Sequence, residues 1–127
     1  MKYLLHEKGW QDVKEYLTTA VSPTSVDLIV IESANVLWKS VRCGLFRKEQ
    51  ATDLYVALEL LYTQGPLALE SGTQYSSDAL AIALAEEIPV YDALFIAQAR
   101  AHHCTLVTAD RKQARCANEC GVQTILL

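Results

Sequence analysis

Residues that break regular structure are scarce in this chain, with five glycines and three prolines among 127 residues. That scarcity argues for long helices and strands and against a turn-rich sandwich or barrel. No apolar run approaches the ~20 residues needed to span a bilayer. The opening stretch, residues 1–7, turns charged too soon to serve as a secretory signal. The expectation is a cytoplasmic protein with no membrane partner. Basic excess is also lacking: the net charge is −4, whereas a general-purpose nucleic-acid binder is normally basic. No internal repeat and no low-complexity segment breaks the sequence.

Cysteine pairing motifs are missing as well. Cys43, Cys104, Cys116 and Cys120 form no Cys-x-x-Cys unit. Cys116 and Cys120 stand four apart, neighbours on one helix face, a spacing open to a metal or a disulfide. The plainer expectation is small apolar fillers in a reducing compartment. Tightly constrained disulfide geometry makes an i, i+4 helical bridge unusual.

What is present is a globular composition, 51% apolar and 20% charged, and a length that fits one domain, 1–127. Residues 10–18 carry Trp10, Val13 and Leu17 on one helical stripe. A short extended piece at 20–23 is expected to stop at Pro23. Ser25 or Asp27 can cap a long helix over 27–42, whose early run is apolar nearly all round, as in a helix packed on both sides. Gly44 ends it. A second helix is expected over 48–63 with Leu54, Leu58 and Leu61 as its ridge, then a break at Gly65-Pro66 and a strand at 67–69. Further helices are expected over 73–86 and, opened by Pro89, over 89–101.

The last part reads most plainly. Residues 104–108 form a buried-type strand, 110–119 a helix and 122–127 a closing strand, with Cys120-Gly121 as the helix stop. A strand, a crossover helix and a strand make a βαβ unit, so the sheet is parallel there. The class is α/β.

Three carboxylates occupy special places. Glu32 lies inside an apolar helical run, where a charge is costly unless paired, protonated or metal-bound. Asn35, one turn on, shares its face. The alternative is that Glu32 marks the exposed stripe. Asp92 falls in the first turn of its helix, where an acidic residue also complements the helix dipole. Asp110 comes directly after a strand and starts a helix. It reads equally as an N-cap and as a site residue at the carboxyl edge of a parallel sheet. Thr108 can hydrogen-bond a carboxylate or water at that edge, or simply finish a strand. Local cations cluster at Lys39, Arg42, Arg47 and Lys48 and again at Arg111, Lys112 and Arg115. His6, His102 and His103 fit surface or helix-end roles, and Trp10, Trp38 and Tyr91 are expected in the core. Clustered carboxylates on separate elements hold hard divalent cations, and such ions activate water and steady the leaving oxygen at a phosphodiester.

Taken in order, three segments resemble the PIN-domain ribonucleases of VapC type. Residues 27–39, with Glu32 and the trailing Leu37-Trp38-Lys39, resemble the second acidic motif of that family. Pro89-Val90-Tyr91-Asp92-Ala93 and its apolar helix resemble the third, and Leu106-Val107-Thr108-Ala109-Asp110 resembles the fourth. The match runs from about Trp10 to the end of the chain. It implies a PIN-like three-layer α/β/α fold with a mostly parallel sheet. It also implies a Mg²⁺- or Mn²⁺-dependent endoribonuclease, the toxin of a toxin–antitoxin pair, homodimeric and bound by an antitoxin protein. Glu32, Asp92 and Asp110 would be the catalytic metal ligands, Asn35 and Thr108 would support them, and Lys39, Arg42, Arg111 and Lys112 would guide RNA.

The start departs from that pattern. The family opens with a strand ending in an Asp-x-Ser motif, and residues 1–10 resemble the segment on the C-terminal side of that motif. Asp12 falls too deep in a helical segment to replace the aspartate. The expectation is a chain lacking the family's first strand, with a true start about 10–15 residues upstream, one strand and its turn; the alternative is a decayed protein whose metal site is crippled. Such a chain would be weak or inactive. Two rivals remain: a non-catalytic PIN-like module that binds an antitoxin, and a flavodoxin-like nucleotide-binding domain. A Gly-rich phosphate loop after a strand would favour the latter, and none is present.

Overall fold

Pro23 lacks a backbone N–H and so suits the residue before a strand; its carbonyl instead accepts from Ala68 N at 2.9 Å. The computed structural model describes residues 23–127. His6, the helix expected over 10–18 with Trp10, and residues 20–22 of the extended piece lie outside the described residues. The chain divides into two units, Met1–Leu69 and Glu70–Leu127.

In the first unit, strand β1 (Thr24–Val26) leads directly into helix α1 (Leu28–Arg42). Proline therefore precedes the strand and does not end it, and Ser25 belongs to the strand. Asp27 stands at the N-cap position without a side-chain cap bond. The buried positions of α1 are Ser33, Leu37 and Ser40, a single i, i+4, i+7 stripe. Ile31 is 67% exposed, so the helix is not enclosed on both sides as its apolar sequence suggests. Gly44 adopts φ +78°, and a Schellman motif closes α1: Gly44 N donates to Val41 O and Leu45 N to Ser40 O.

Helix α2 (Lys48–Thr63) matches its expected span and packs on α1. Arg47 N donates to Gln50 Oε1 at 2.8 Å, the reverse half of a capping box. Strand β2 (Ala68–Glu70) pairs with β1 in a two-stranded sheet, one residue later than the sequence suggests.

In the second unit a 3₁₀ turn, Gly72–Tyr75, precedes helix α3 (Ser76–Glu86). Continuous α-helix over 73–86 is prevented where Ser and Thr side chains compete locally. Ser71 Oγ meets Thr73 Oγ1 at 2.8 Å, and Ser76 Oγ donates to Thr73 O. Helix α4 (Val90–Ala101) starts at Pro89 as expected and packs on α3. Small buried residues on both, Ala79 and Ala83 on α3 and Ala93 and Ala97 on α4, permit a close approach.

Strand β3 (Leu106–Thr108), helix α5 (Arg111–Glu119) and strand β4 (Thr124–Leu126) form the expected βαβ unit. β3 and β4 pair in parallel, Leu106 with Thr124 and Thr108 with Leu126. Both strands are shorter than the sequence suggests, for one reason. The preceding helices end in Schellman motifs that consume the first residues of each expected strand. Cys104 N donates to Ala99 O after His103 turns to φ +53°, and Val122 N donates to Ala117 O after Gly121 turns to φ +80°. Cys104 is consequently exposed, not part of a buried strand. All four cysteines are free, and only Cys116 is fully buried. The filler role thus fails for exposed Cys43 and Cys104.

Trp38 and Tyr91 also leave the core, at 55% and 63% exposure. Trp38 sits one residue beyond Leu37 of the Ser33–Leu37–Ser40 stripe, which turns it about 100° away from the packed face. There the Arg42 guanidinium lies 5.5 Å from its ring centroid, a cation–π contact.

Candidate active site

The N-terminal turn of α4 and the β3–α5 junction each place one acidic residue by local rules. Asp92 is in the first turn of α4, its N–H donating to Pro89 O at 3.1 Å. Asp110 is the N-cap of α5 in extended conformation, and its Oδ1 accepts from Lys112 N at 2.9 Å and Gln113 N at 3.1 Å. The cap role and the place at the sheet's carboxyl edge therefore meet in one side chain. The cap employs one carboxylate oxygen, and among the described residues the other accepts no hydrogen bond.

Asp92 is half-buried, and among the described residues no donor reaches its carboxylate. Its pKa is raised above the ordinary value, first by burial and then by the negative charge of Asp110, with Lys112 partly opposing both. The two carboxylates and the lysine thus share one electrostatic neighbourhood. Neighbouring acids whose ionisation is perturbed in this way are a feature of functional sites.

Thr108 ends β3 and is buried. Its hydroxyl donates to Gln113 Oε1 at 2.6 Å and accepts from Asp110 N at 3.0 Å. Thr108 supports the acidic junction through Asp110's main chain and through Gln113, not through a carboxylate. Gln113 in turn donates from Nε2 to Asp92 O at 3.0 Å. Sequence reasoning did not single out Gln113. The available signal was Asp110-Arg111-Lys112-Gln113, an N-cap with glutamine three residues on.

The remaining expected positions are described within their own units. Glu32 is half-buried on α1 in the first unit, beside the stripe residue Ser33, and Asn35 is exposed one turn later. Lys39 and Arg42 are exposed in the last turn of α1, and Arg111 and Lys112 are exposed in the first turn of α5. Among the described residues, no three His, Cys, Asp or Glu side chains gather as a metal site. The structure brings Asp92 and Asp110 together, with Lys112 and Thr108 beside them. Their unpartnered carboxylate oxygens fit a hard divalent cation, which prefers oxygen ligands and retains water. Among the described residues, no helix is long and apolar enough to cross a membrane.

The α/β architecture, with its parallel β3–β4 pair, agrees with the family comparison. The PIN domain matches residues 2–119, and the chain belongs to that family. It is 36% identical over 108 residues to Ribonuclease VapC3 of Pyrobaculum aerophilum, an alignment covering 85% of this chain and 81% of that protein.

Proposed function

We propose that this chain is a metal-dependent endoribonuclease of VapC type, with Glu32, Asp92 and Asp110 as the acidic residues its activity requires. The observation that carries the reading is the nearness of Asp92 to Asp110, joined through Gln113, with an open carboxylate oxygen on each and the charge of Asp110 bearing on Asp92. Asp92 and Asp110 would hold Mg²⁺ or Mn²⁺. When bound, that ion supplies Lewis acidity and an activated water for phosphodiester hydrolysis. Lys112 and Arg111, exposed at the start of α5, attract the RNA phosphates, with Lys39 and Arg42 as further cations. A small antitoxin partner, a homodimer and a cytoplasmic setting are inferred from the similarity to a VapC ribonuclease.

Because the ligands must be ionised, metal affinity falls as pH falls through the raised pKa of Asp92. The test is cleavage of RNA by the purified chain with Mn²⁺, with Mg²⁺ and with chelator, alongside Glu32→Gln, Asp92→Asn and Asp110→Asn. Cleavage that needs the metal and each carboxylate supports the reading. Cleavage in chelator, or undiminished in the Asp92 and Asp110 variants, overturns it. Mn²⁺ binding without any cleavage overturns the enzymatic part and leaves a binding module.

A further inference from the structure

Gln113 is 8% exposed, and every hydrogen bond it makes with its side chain reaches another element. Its Oε1 accepts the hydroxyl of Thr108 at the end of β3, and its Nε2 donates to the main-chain carbonyl of Asp92 on α4. Its own N–H, in the first turn of α5, donates to Asp110 Oδ1. One residue therefore touches both acidic positions and the strand end beside Asp110.

The amide orientation is fixed by its partners. Asp92 O can only accept, so the group facing it must be Nε2, and Oε1 must face Thr108. The Thr108 hydroxyl proton is then committed to Gln113, which leaves a lone pair for the N–H of Asp110. Each donor in the chain Asp110 N, Thr108 Oγ1, Gln113 Oε1/Nε2, Asp92 O meets one acceptor. A glutamine in the third position of a helix ordinarily folds back to the N-cap N–H. Here Thr108 takes that N–H, which frees the Gln113 amide to span to α4.

We infer that Gln113 is a positioning residue of the Asp92–Asp110 site, setting the spacing of the two carboxylates by binding the main chain of one and the side chain of the other. The inference rests on the proposed metal-site reading. Leucine fills a similar volume and keeps the main-chain N–H to Asp110, but offers neither side-chain bond. Asparagine keeps the amide but is one methylene short, so it cannot hold both Thr108 and Asp92. Loss of an outer-shell partner of this kind costs roughly 10–100-fold in metal affinity.

The experiment is Mn²⁺ titration of the full chain, monitored by calorimetry, for wild type, Gln113→Leu, Gln113→Asn, Thr108→Val, the Gln113→Leu/Thr108→Val double variant and Asp92→Asn. Thermal melts in metal-free buffer accompany each titration. The expected result is a Kd weakened about tenfold or more in both Gln113 variants that are folded at the titration temperature. The double variant should be no weaker than Gln113→Leu, since the two residues act as one chain. Should Gln113→Leu fail to fold, Gln113→Asn decides alone. The Mn²⁺ concentration for half-maximal cleavage should rise while the KM for RNA holds, a split that a merely structural role would not produce. Wild-type Kd in a folded Gln113 variant, beside lost binding in Asp92→Asn, overturns the inference and leaves the site standing. Undiminished binding in Asp92→Asn overturns the site reading itself, and the inference with it.

Discussion

His102 Nε2 stands 2.7 Å from Glu70 Oε1, joining the C-cap of α4 to the last residue of β2 across 32 positions of sequence. The same oxygen accepts Gln98 Nε2 and Tyr75 OH, each at 2.8 Å. Tyr75 OH also lies 3.0 Å from His102 Nε2, so two donors sit side by side on one shared acceptor. All four residues belong to the second unit, and the cluster secures its first residue to α4. The Tyr75 phenol is pushed up to about 12, by burial first and the Glu70 carboxylate next, so it remains a donor throughout the neutral range.

This cluster makes the second unit sensitive to acid. Glu70's pKa is lowered from 4.5, chiefly by the Gln98 bond, then by Tyr75 and His102. A depressed carboxylate contributes stability that is complete above its unfolded value and fades as pH falls through the folded one. Glu70→Ala should therefore cost about 2 kcal/mol at pH 7, the scale of hydrogen bonds to a charged group. Urea denaturation of both forms from pH 7 to pH 3 reads the difference, which should shrink below about 4.5. A gap that stays constant over that range would sink the assignment.

Equivalent positions after α4 and α5 should respond to substitution with opposite signs. His103 and Gly121 both occupy the left-handed residue of a Schellman motif, at φ +53° and +80°. A Cβ at Gly121 would meet nothing within 4 Å, so the cost of Gly121→Ala is backbone strain alone, about 1 kcal/mol. His103→Gly removes the same strain and should stabilise by a smaller amount, since glycine also frees the unfolded chain. Melting temperatures of the two variants in parallel check this. Equal signs would show that the caps are not governed by φ.

Local devices were readable in the sequence, and contacts between distant segments were not. The span of α2, the opening of α4 at Pro89, the Gly44 stop and the β3–α5–β4 unit each depend on a few adjacent residues. The places of Asp110 and Asp92 at the starts of helices were read the same way. Gln113 escaped because its decisive partner, Asp92, is 21 residues away, and its own pattern looked like an ordinary cap. The Glu70 cluster escaped for the same reason, with partners 28 and 32 residues on. Trp38 and Tyr91 were misplaced because aromatic character was read as burial. For Trp38 the face of the helix, set by Ser33, Leu37 and Ser40, decides the matter.

Asp110 combines a structural task with a proposed chemical one, and two substitutions should separate them. Serine retains an acceptor for the N–H groups of Lys112 and Gln113, whereas alanine does not. Asp110→Ala should cost about 1 kcal/mol of stability, and Asp110→Ser much less. Both remove the carboxylate, so both should lose metal-dependent RNA cleavage, by on the order of 100-fold. Chemical denaturation and initial cleavage rates on the same preparations supply the two readouts. Cleavage retained by Asp110→Ser would reduce Asp110 to a helix cap.

Asp92 should show the opposite relation between stability and activity. Its pKa is raised by burial and by Asp110, so the folded chain holds its proton more tightly than the unfolded one. The corresponding stability is present below the ordinary value of 3.8 and is lost as pH rises through the raised folded value. At pH 7 the ionised Asp92 is consequently a destabilising group in metal-free protein. Asp92→Asn removes that charge with little change in volume and should raise the melting temperature in chelator, while abolishing the further rise that Mn²⁺ gives the wild type. A salt series sharpens the test, since screening weakens the repulsion between the two carboxylates. The stabilising effect of Asp92→Asn should diminish with added salt but not vanish, because burial is the larger cause. A variant that melts lower than wild type in chelator would show that Asp92 holds the fold together and would remove the ground for reading its charge as kept for a cation.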